Sequence, residues 1–291
     1  MKTIGVLTAA AGLALAPAAQ QQPFRGAVDV VTLEVAVFQA NRPVSGLTSR
    51  DFVVTDNGVR QSVTAVSAAS LPVDLTVALD TSGSMSESID VLASQLRSAV
   101  RDLRPTDRVR LVTFDWGVRE VFPLQPPGPG VPFDAMKAGG MTSLHDALSG
   151  LLMHARAPGR IDLAVLFTDA VDNTSAMTLA AAAEIARRSD VLLHVYVVRA
   201  GEDVAVDAVL GRPDYRPLED IATTTGGRLD VVLADNRIVT GLGRALADMR
   251  ASYTLRFTSA GVARAGWHAL GVSIDRPGTF VVRARRGYFG E

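Results

Sequence analysis

The first group of side chains that could bind a ligand is a short polar run: Asp80, Thr81, Ser82, Gly83 and Ser84. The run directly follows an apolar stretch at 73–79, which predicts one buried strand, and it precedes a helix-like segment at 86–103. In α/β proteins, ligands bind at the carboxyl ends of strands. The carboxylate and the two serine hydroxyls alternate, so a turning loop can direct all three to one point. Such hard oxygen donors predict a divalent cation, Mg²⁺ first, with Mn²⁺ or Ca²⁺ as alternatives.

The pattern Asp80-x-Ser82-x-Ser84 after a hydrophobic strand resembles the metal-ion-dependent adhesion site of von Willebrand factor type A domains. The resemblance requires a Thr in a later loop and an Asp at the end of the following buried strand. Both are present, as Thr142 and as Asp169. Three motifs in this order are more specific than any one of them, and they extend the resemblance over about residues 73–250.

The resemblance implies which residues hold the ion. The hydroxyls of Ser82, Ser84 and Thr142 would contact the metal directly, while Asp80 and Asp169 would bind it largely through water and orient the other ligands. Because two carboxylates held back by water leave the ion electron-poor, an acidic residue of a protein partner would fill the open position. The resemblance therefore implies a non-enzymatic binding module with no catalytic residues.

Three other interpretations stay open. The run at 80–84 could be only a polar loop that caps the following helix, with Ser84 or Ser86 as the N-cap. The domain could be a structural module of the cell envelope whose metal site is empty. A Mg²⁺-dependent phosphatase of the haloacid-dehalogenase type is more remote, because it needs a second Asp where Ser82 stands. It also needs a Lys to steady the phosphoryl group, and Lys137 is the only Lys after residue 2.

Other residues near these motifs predict supporting roles. Met141 stands where the family commonly has Gly, so the threonine that follows it is the least secure ligand. Asp146 should cap or brace its own helix rather than bind metal. Asp172 should be a loop carboxylate near the rim of the site, with a supporting position behind the ligands as the alternative. We expect Asp115 to be structural and His145 to have a surface or packing role.

Between residues 73 and 250, predicted strands alternate with predicted helices. Strands are predicted at 73–79, 108–114, 118–124, 161–168, 191–198 and 229–233. Helices are predicted at 86–103, 143–155, 175–188, 214–224 and 236–250. This alternation predicts a Rossmann-like, doubly wound α/β domain, whose mostly parallel sheet is covered by helices on both faces.

The segments on either side of this domain are strand-like. Residues 27–70 contain three or four predicted strands and an Asp-Asn-Gly hairpin turn at 56–58, and residues 252–289 contain three more strands. We expect the two segments to pair as one small β-sandwich into which the α/β domain is inserted. The last strand carries arginines that we expect on a solvated face: Arg283, Arg285 and Arg286. These flanking motifs are similar to a von Willebrand-related family found mainly in Acidobacteria.

Composition argues against several classes of function. The net charge of −1 and the lack of a basic run argue against a nucleic-acid partner, and the absence of cysteine excludes disulfides, thiol catalysis and cysteine-ligated zinc. Residues 1–19 have the pattern of a secretory signal peptide, with Lys2 ahead of an apolar run and small residues at 16–19. No later segment is apolar for long enough to span a membrane. We therefore expect an exported protein, periplasmic or extracellular.

Overall fold

The computed structural model describes residues 30–68, 71–128, 137–199, 213–233 and 237–290, and the predicted signal peptide at 1–19 lies outside these ranges. The strands are β1 (Val30–Gln39), β2 (Arg42–Pro43), β3 (Phe52–Asp56), β4 (Val59–Gln61), β5 (Val63–Ala68), β6 (Val73–Asp80), β7 (Arg108–Phe114), β8 (Val118–Gln125), β9 (Ile161–Thr168), β10 (Leu192–Arg199), β11 (Arg228–Leu233), β12 (Tyr253–Thr258), β13 (Gly266–Ile274), β14 (Val281–Arg283) and β15 (Gly287–Gly290). The helices are α1 (Ile89–Val100), α2 (Leu144–Leu152), α3 (Leu179–Arg188), α4 (Arg216–Thr224) and α5 (Arg237–Arg250).

A six-stranded sheet forms the centre of the α/β domain, in the order β11-β10-β9-β6-β7-β8. All neighbouring strands are parallel except β7 and β8, which are antiparallel. Every residue of the two middle strands, β6 and β9, is buried, as their mostly apolar sequences predict when both faces of a sheet are covered. The predicted mostly parallel α/β sheet is confirmed.

Helices cover both faces of this sheet. On one face the apolar core includes side chains from α1 and α5: Leu92, Leu96, Leu242 and Leu246. On the other face it includes side chains from α2, α3 and α4: Leu148, Leu151, Ala182, Ala186, Leu218 and Ile221. With both faces occupied, the edge formed by the carboxyl ends of the parallel strands remains for the loops that could bind a ligand.

Two helices begin later than predicted. Helix α1 begins at Ile89 rather than at residue 86, because Gly83–Met85 forms a separate 3₁₀ turn. Helix α3 begins at Leu179 rather than at residue 175, and the hydroxyl of Thr178 caps it by accepting a backbone N–H bond. The residues in between therefore belong to loops at the carboxyl edge of the sheet.

The strands outside this domain form a sandwich of two antiparallel sheets. One sheet has the order β14-β1-β12-β5, with β2 beside β1, and the other has the order β15-β13-β3-β4. In each sheet a strand from the beginning of the chain pairs with one from its end, as β1 does with β12 and β3 does with β13, which confirms that the two segments pair in one sandwich. Its apolar core includes side chains from β1, β3 and β12: Leu33, Val35, Phe52, Val54, Leu255 and Phe257.

The predicted hairpin turn is present between β3 and β4. Its central residues, Asn57 and Gly58, have φ angles of 46° and 81°, the left-handed region that a type I′ hairpin requires. The side-chain oxygen of Asn57 accepts the N–H of Ala269 at 2.9 Å, and the backbone N–H of Asn57 donates to the carbonyl of Ala269 at 2.8 Å. The turn therefore joins the first part of the chain to β13.

A buried polar cluster surrounds Asp56, the last residue of β3 before this turn. The carboxylate of Asp56 is fully buried and accepts hydrogen bonds from Tyr288 Oη and Ser259 Oγ, both at 2.8 Å. His268 places Nδ1 2.9 Å from the same carboxylate and Nε2 3.0 Å from the carbonyl oxygen of Arg264. Both ring nitrogens of His268 therefore lie within hydrogen-bond distance of oxygen atoms of this cluster.

All three arginines near the end of the chain pair with carboxylates of the α/β domain. Arg283 donates to Asp248 at 3.1 Å, and Arg285 forms an ion pair with Asp190 while its side chain is only 15% exposed. The prediction of a solvated face is therefore wrong for these two residues, because the α/β domain covers them. It describes only Arg286, whose side chain is 53% exposed.

We expect Asp56→Ala to destabilise the protein by about 3–5 kcal/mol, because the change removes the carboxylate that a buried histidine ring and two hydroxyls share. Urea unfolding measures this free energy. The control is Asp275→Ala, which removes an exposed carboxylate from the same sandwich and should change stability by less than about 0.5 kcal/mol. Equal effects of the two changes would contradict a structural role for the Asp56 cluster.

Candidate metal centre

Asp80 is the last residue of β6 and its carboxylate is fully buried. Its Oδ1 accepts the backbone N–H of Ser82 at 2.9 Å, and its Oδ2 accepts the hydroxyl of Thr168 at 2.7 Å. Thr168 ends β9 and directly precedes Asp169. The carboxylate of Asp80 therefore connects the ends of the two middle strands. Sequence reasoning missed Thr168, although its place beside a candidate ligand was the available signal.

The loop after β6 brings the two predicted serine ligands together. The hydroxyl oxygens of Ser82 and Ser84 lie 3.1 Å apart, so one donates to the other. The interpretation of Ser84 or Ser86 as the helix N-cap is wrong, because the residue before α1 is Ser88 and it makes no side-chain capping bond. Both hydroxyls of the motif thus lie in the loop rather than at the helix terminus.

A second loop, at 139–142, is joined to the first by backbone hydrogen bonds. The N–H of Gly139 donates to the carbonyl of Thr81 at 2.8 Å, and the N–H of Gly83 donates to the carbonyl of Gly140 at 3.1 Å. Gly140 has a φ of 83°, which glycine adopts without strain. The resulting turn leads directly to Thr142, which is buried.

A third loop, after β9, is joined to the second. Its Asn173 accepts the N–H of Thr142 through the side-chain oxygen at 2.8 Å and donates its own N–H to the Thr142 carbonyl at 3.0 Å. Asp169, at the start of this loop, is partly exposed, and its Oδ1 accepts the N–H of Val171 at 3.0 Å. The five predicted residues thus lie on three loops that are bonded to one another. Asn173 is a second positioning residue that sequence reasoning missed.

The neighbouring polar residues brace these loops. Asp172 accepts the backbone N–H of His145 at 3.1 Å and lies 3.3 Å from its ring nitrogen, so both residues fix the start of α2. The carboxylate of Asp146 accepts the N–H groups of Ala176 and Met177, and so holds the loop before α3. Asp146 thus supports a neighbouring loop and not, as predicted, its own helix.

Among the described residues, the buried carboxylate of Asp80 has no cationic partner. Its polar contacts in the described part of the chain are amide and hydroxyl groups. Burial raises the pKa of Asp80 to about 6, hydrogen bonds from Ser82 and Thr168 oppose this rise, and the negative charge of Asp169 adds to it. A positive charge bound at this edge of the sheet would stabilise both carboxylates.

The donor set fits a hard divalent cation. Among the described residues, no group of three or more histidine, aspartate or glutamate side chains is placed to hold a metal ion. A metal at this edge would therefore depend on serine and threonine hydroxyls beside the carboxylates. Oxygen ligands of this kind suit Mg²⁺, Mn²⁺ or Ca²⁺.

Comparison with known protein families identifies this arrangement. The sequence profile of the von Willebrand factor type A domain matches residues 74–237, more than half of the chain. The chain belongs to the von Willebrand factor type A (VWA) family. The matched region begins within β6 and extends to the start of α5, so it includes all three loops of the candidate centre. No protein with a curated description matches the sequence.

Several solved structures are similar in fold. A von Willebrand factor type A protein from Catenulispora acidiphila has a TM-score of 0.49 at 15% identity, with 87% of this chain and 75% of that chain covered. The protein BatB from Bacteroides thetaiotaomicron has a TM-score of 0.47 at 15% identity, covering 61% and 98%. Proximal thread matrix protein 1 from the mussel byssus, with a zinc-occupied MIDAS motif, has a TM-score of 0.49 at 17% identity, covering 64% and 50%.

The raised pKa of Asp80 predicts that Asp80→Asn stabilises the metal-free protein at pH 8. Because folding raises this pKa from 3.8 to about 6, the group favours the folded state at acid pH, and that stability is lost as the pH rises through about 6. At pH 8 the charged carboxylate of Asp80 therefore lowers the free energy of unfolding by up to about 3 kcal/mol. Urea unfolding in EDTA at pH 8 and pH 5 measures the difference in free energy of unfolding between Asp80→Asn and the unchanged protein. We expect this difference to be smaller at pH 5.

Asp74, at the other end of β6, provides the matched control. It is also buried, but it is paired with Arg108 and Arg160. Although burial alone would raise the pKa of Asp74, these two guanidinium groups lower it. Asp74→Asn should therefore destabilise the protein at pH 8. If both substitutions destabilise the metal-free protein at that pH, Asp80 is not an uncompensated anion.

Proposed function

We propose that this protein binds a protein partner through a divalent cation at the edge of its VWA domain. The proposal rests on one observation: three loops that are hydrogen-bonded to one another meet around the buried carboxylate of Asp80. There the hydroxyls of Ser82 and Ser84 lie together, and Asp80 has amide and hydroxyl partners but no cation in the described part of the chain. A site built for stability alone would pair such a carboxylate with an arginine, as the same strand does at Asp74.

Each residue has a distinct part in the proposed site. Ser82, Ser84 and Thr142 would hold the ion through their neutral hydroxyls, and Asp80 and Asp169 would lie behind them and orient the ligands. Mg²⁺ is our first expectation, with Mn²⁺ or Ca²⁺ as alternatives. When bound, the ion would supply a positive charge with an open position for a carboxylate from outside the protein. The matching partner therefore presents an acidic side chain.

The arrangement supports binding rather than catalysis. The hydroxyl of Ser82 pairs with the hydroxyl of Ser84, and no bond from a histidine to either serine is found among the described residues. His145, near the second loop, is paired with Asp172 at the start of α2. A phosphatase of the haloacid-dehalogenase type would also require a carboxylate where Ser82 stands. We therefore propose that the protein is not an enzyme.

We also propose that the protein is exported and acts in the periplasm or outside the cell. The proposal is supported by the charged start, apolar run and small residues within positions 1–19. In the described part of the chain, none of the helices has the length and apolar character needed to cross a membrane.

Calorimetric titration of the purified protein with Mg²⁺ and Mn²⁺ tests the metal site. We expect saturable binding that is lost in the double variant Ser82→Ala, Ser84→Ala, because the change removes two hydroxyl ligands. The matched control is Ser94→Ala, Ser98→Ala, which removes two exposed hydroxyls from α1 and should bind metal as the unchanged protein does.

Acetate should strengthen metal binding, because it supplies the carboxylate that a partner would otherwise provide. If no metal binding is detected either with or without acetate, the result would contradict the proposal and favour a structural envelope module. Equal binding by the unchanged protein and the Ser82, Ser84 double variant would show that the ion binds elsewhere.

A further inference from the structure

Large apolar side chains are exposed around the candidate metal centre. Five of them form what we call the apolar rim, with exposed fractions between 37% and 64%: Trp116, Val118, Met141, Val171 and Met177. Exposed apolar residues that cluster on one surface are typical of interaction sites, whereas single ones are common anywhere.

The positions of the rim residues follow from the topology. Trp116 and Val118 lie where the chain passes from β7 to β8, and Met141 directly precedes Thr142. Val171 and Met177 belong to the loop between Asp169 and α3. All five therefore lie at the edge of the sheet that carries the proposed ligands.

The loops that carry the rim are held by hydrogen bonds and close contacts. The indole of Trp116 lies so close to Gly140 that a Cβ atom there would be 2.4 Å from the indole nitrogen. The backbone N–H of Val171 donates to Asp169, and that of Met177 donates to Asp146 at 2.7 Å. A rim that is already positioned loses little conformational entropy when a partner binds, so more of the apolar burial contributes to affinity.

The charge at this edge of the sheet determines which partners can bind to the apolar rim. Asp80 and Asp169 lie at the same edge, and two further carboxylates lie beside them, Asp172 on the third loop and Asp146 in the first turn of α2. Without a cation, this edge repels an acidic ligand. With a divalent cation bound, the centre attracts one carboxylate, and the surface next to it offers apolar contacts.

We propose that the partner segment carries its acidic residue between large apolar residues, which bury against the apolar rim. This inference rests on the proposed function and specifies the partner's chemistry. Burial of even one large apolar side chain is expected to strengthen binding by about tenfold or more. A partner with only polar residues beside its carboxylate would leave the rim exposed to water.

Two synthetic peptides with a fluorescent label test the proposal: Gly-Leu-Phe-Glu-Leu-Gly and Gly-Ser-Ser-Glu-Ser-Gly. Fluorescence anisotropy measures their binding to the purified protein in Mn²⁺ and in EDTA. We expect the apolar peptide to bind at least about tenfold more tightly in Mn²⁺. We also expect EDTA, or replacement of its Glu by Gln, to abolish binding.

Single substitutions test whether the apolar rim is the surface that binds the apolar peptide. Trp116→Ser and Met177→Ser should each reduce the advantage of the apolar peptide by about threefold or more and leave Mn²⁺ titration unchanged. Met153→Ser is the control, because Met153 is 70% exposed and lies at the end of α2 instead of in the rim. An equal loss in the control would overturn the proposal, as would loss of Mn²⁺ binding in both rim variants.

The outcomes separate this inference from the function on which it rests. Equal, metal-dependent binding of the two peptides would overturn the apolar partner and leave metal-mediated binding standing. Binding of the apolar peptide that persists in EDTA or with Gln would overturn both. If neither peptide binds while Mn²⁺ does, the proposed partner binding and the rim's role are overturned together.

Discussion

The burial of the Asp80 carboxylate is the constraint on which the carboxyl edge of the central sheet depends. One of its oxygens holds the loop after β6 through the N–H of Ser82, and the other holds the end of β9 through the hydroxyl of Thr168. These bonds only partly offset burial, since the pKa of Asp80 is still raised to about 6. The metal-free fold is thus destabilised where a cation would bind, as is common at functional sites.

Bonds that involve backbone groups join the second loop to the first and to the third. Thr81 and Gly83 bond to the second loop through main-chain atoms, and Thr142 bonds to the third through main-chain atoms and the side-chain amide of Asn173. The hydroxyls of Ser82 and Ser84 take no part in these bonds and contact each other. The same bonds fix the apolar side chains beside them, so one network positions both a polar centre and its apolar surroundings.

The β-sandwich lies at the opposite edge of the sheet. Its residues Glu34 and Arg285 pair with Arg156 and Asp190, which lie just before β9 and β10, at the amino ends of these parallel strands. Because strands from before and after the α/β domain pair with each other, the sandwich closes the fold away from the candidate metal centre. The two ion pairs thus hold the sandwich at the amino edge of the sheet.

The sequence by itself determined the α/β class, the pairing of the flanking strands and the residues of the three motifs, because these depend on local hydrophobic patterns and short spacings. Only the tertiary structure decided that Thr168 holds Asp80, since this bond joins residues 88 positions apart. It also decided that Arg283 and Arg285 are covered rather than solvated. The physical reason is that a strand's alternation predicts which side chains share a face, but not which domain packs against that face.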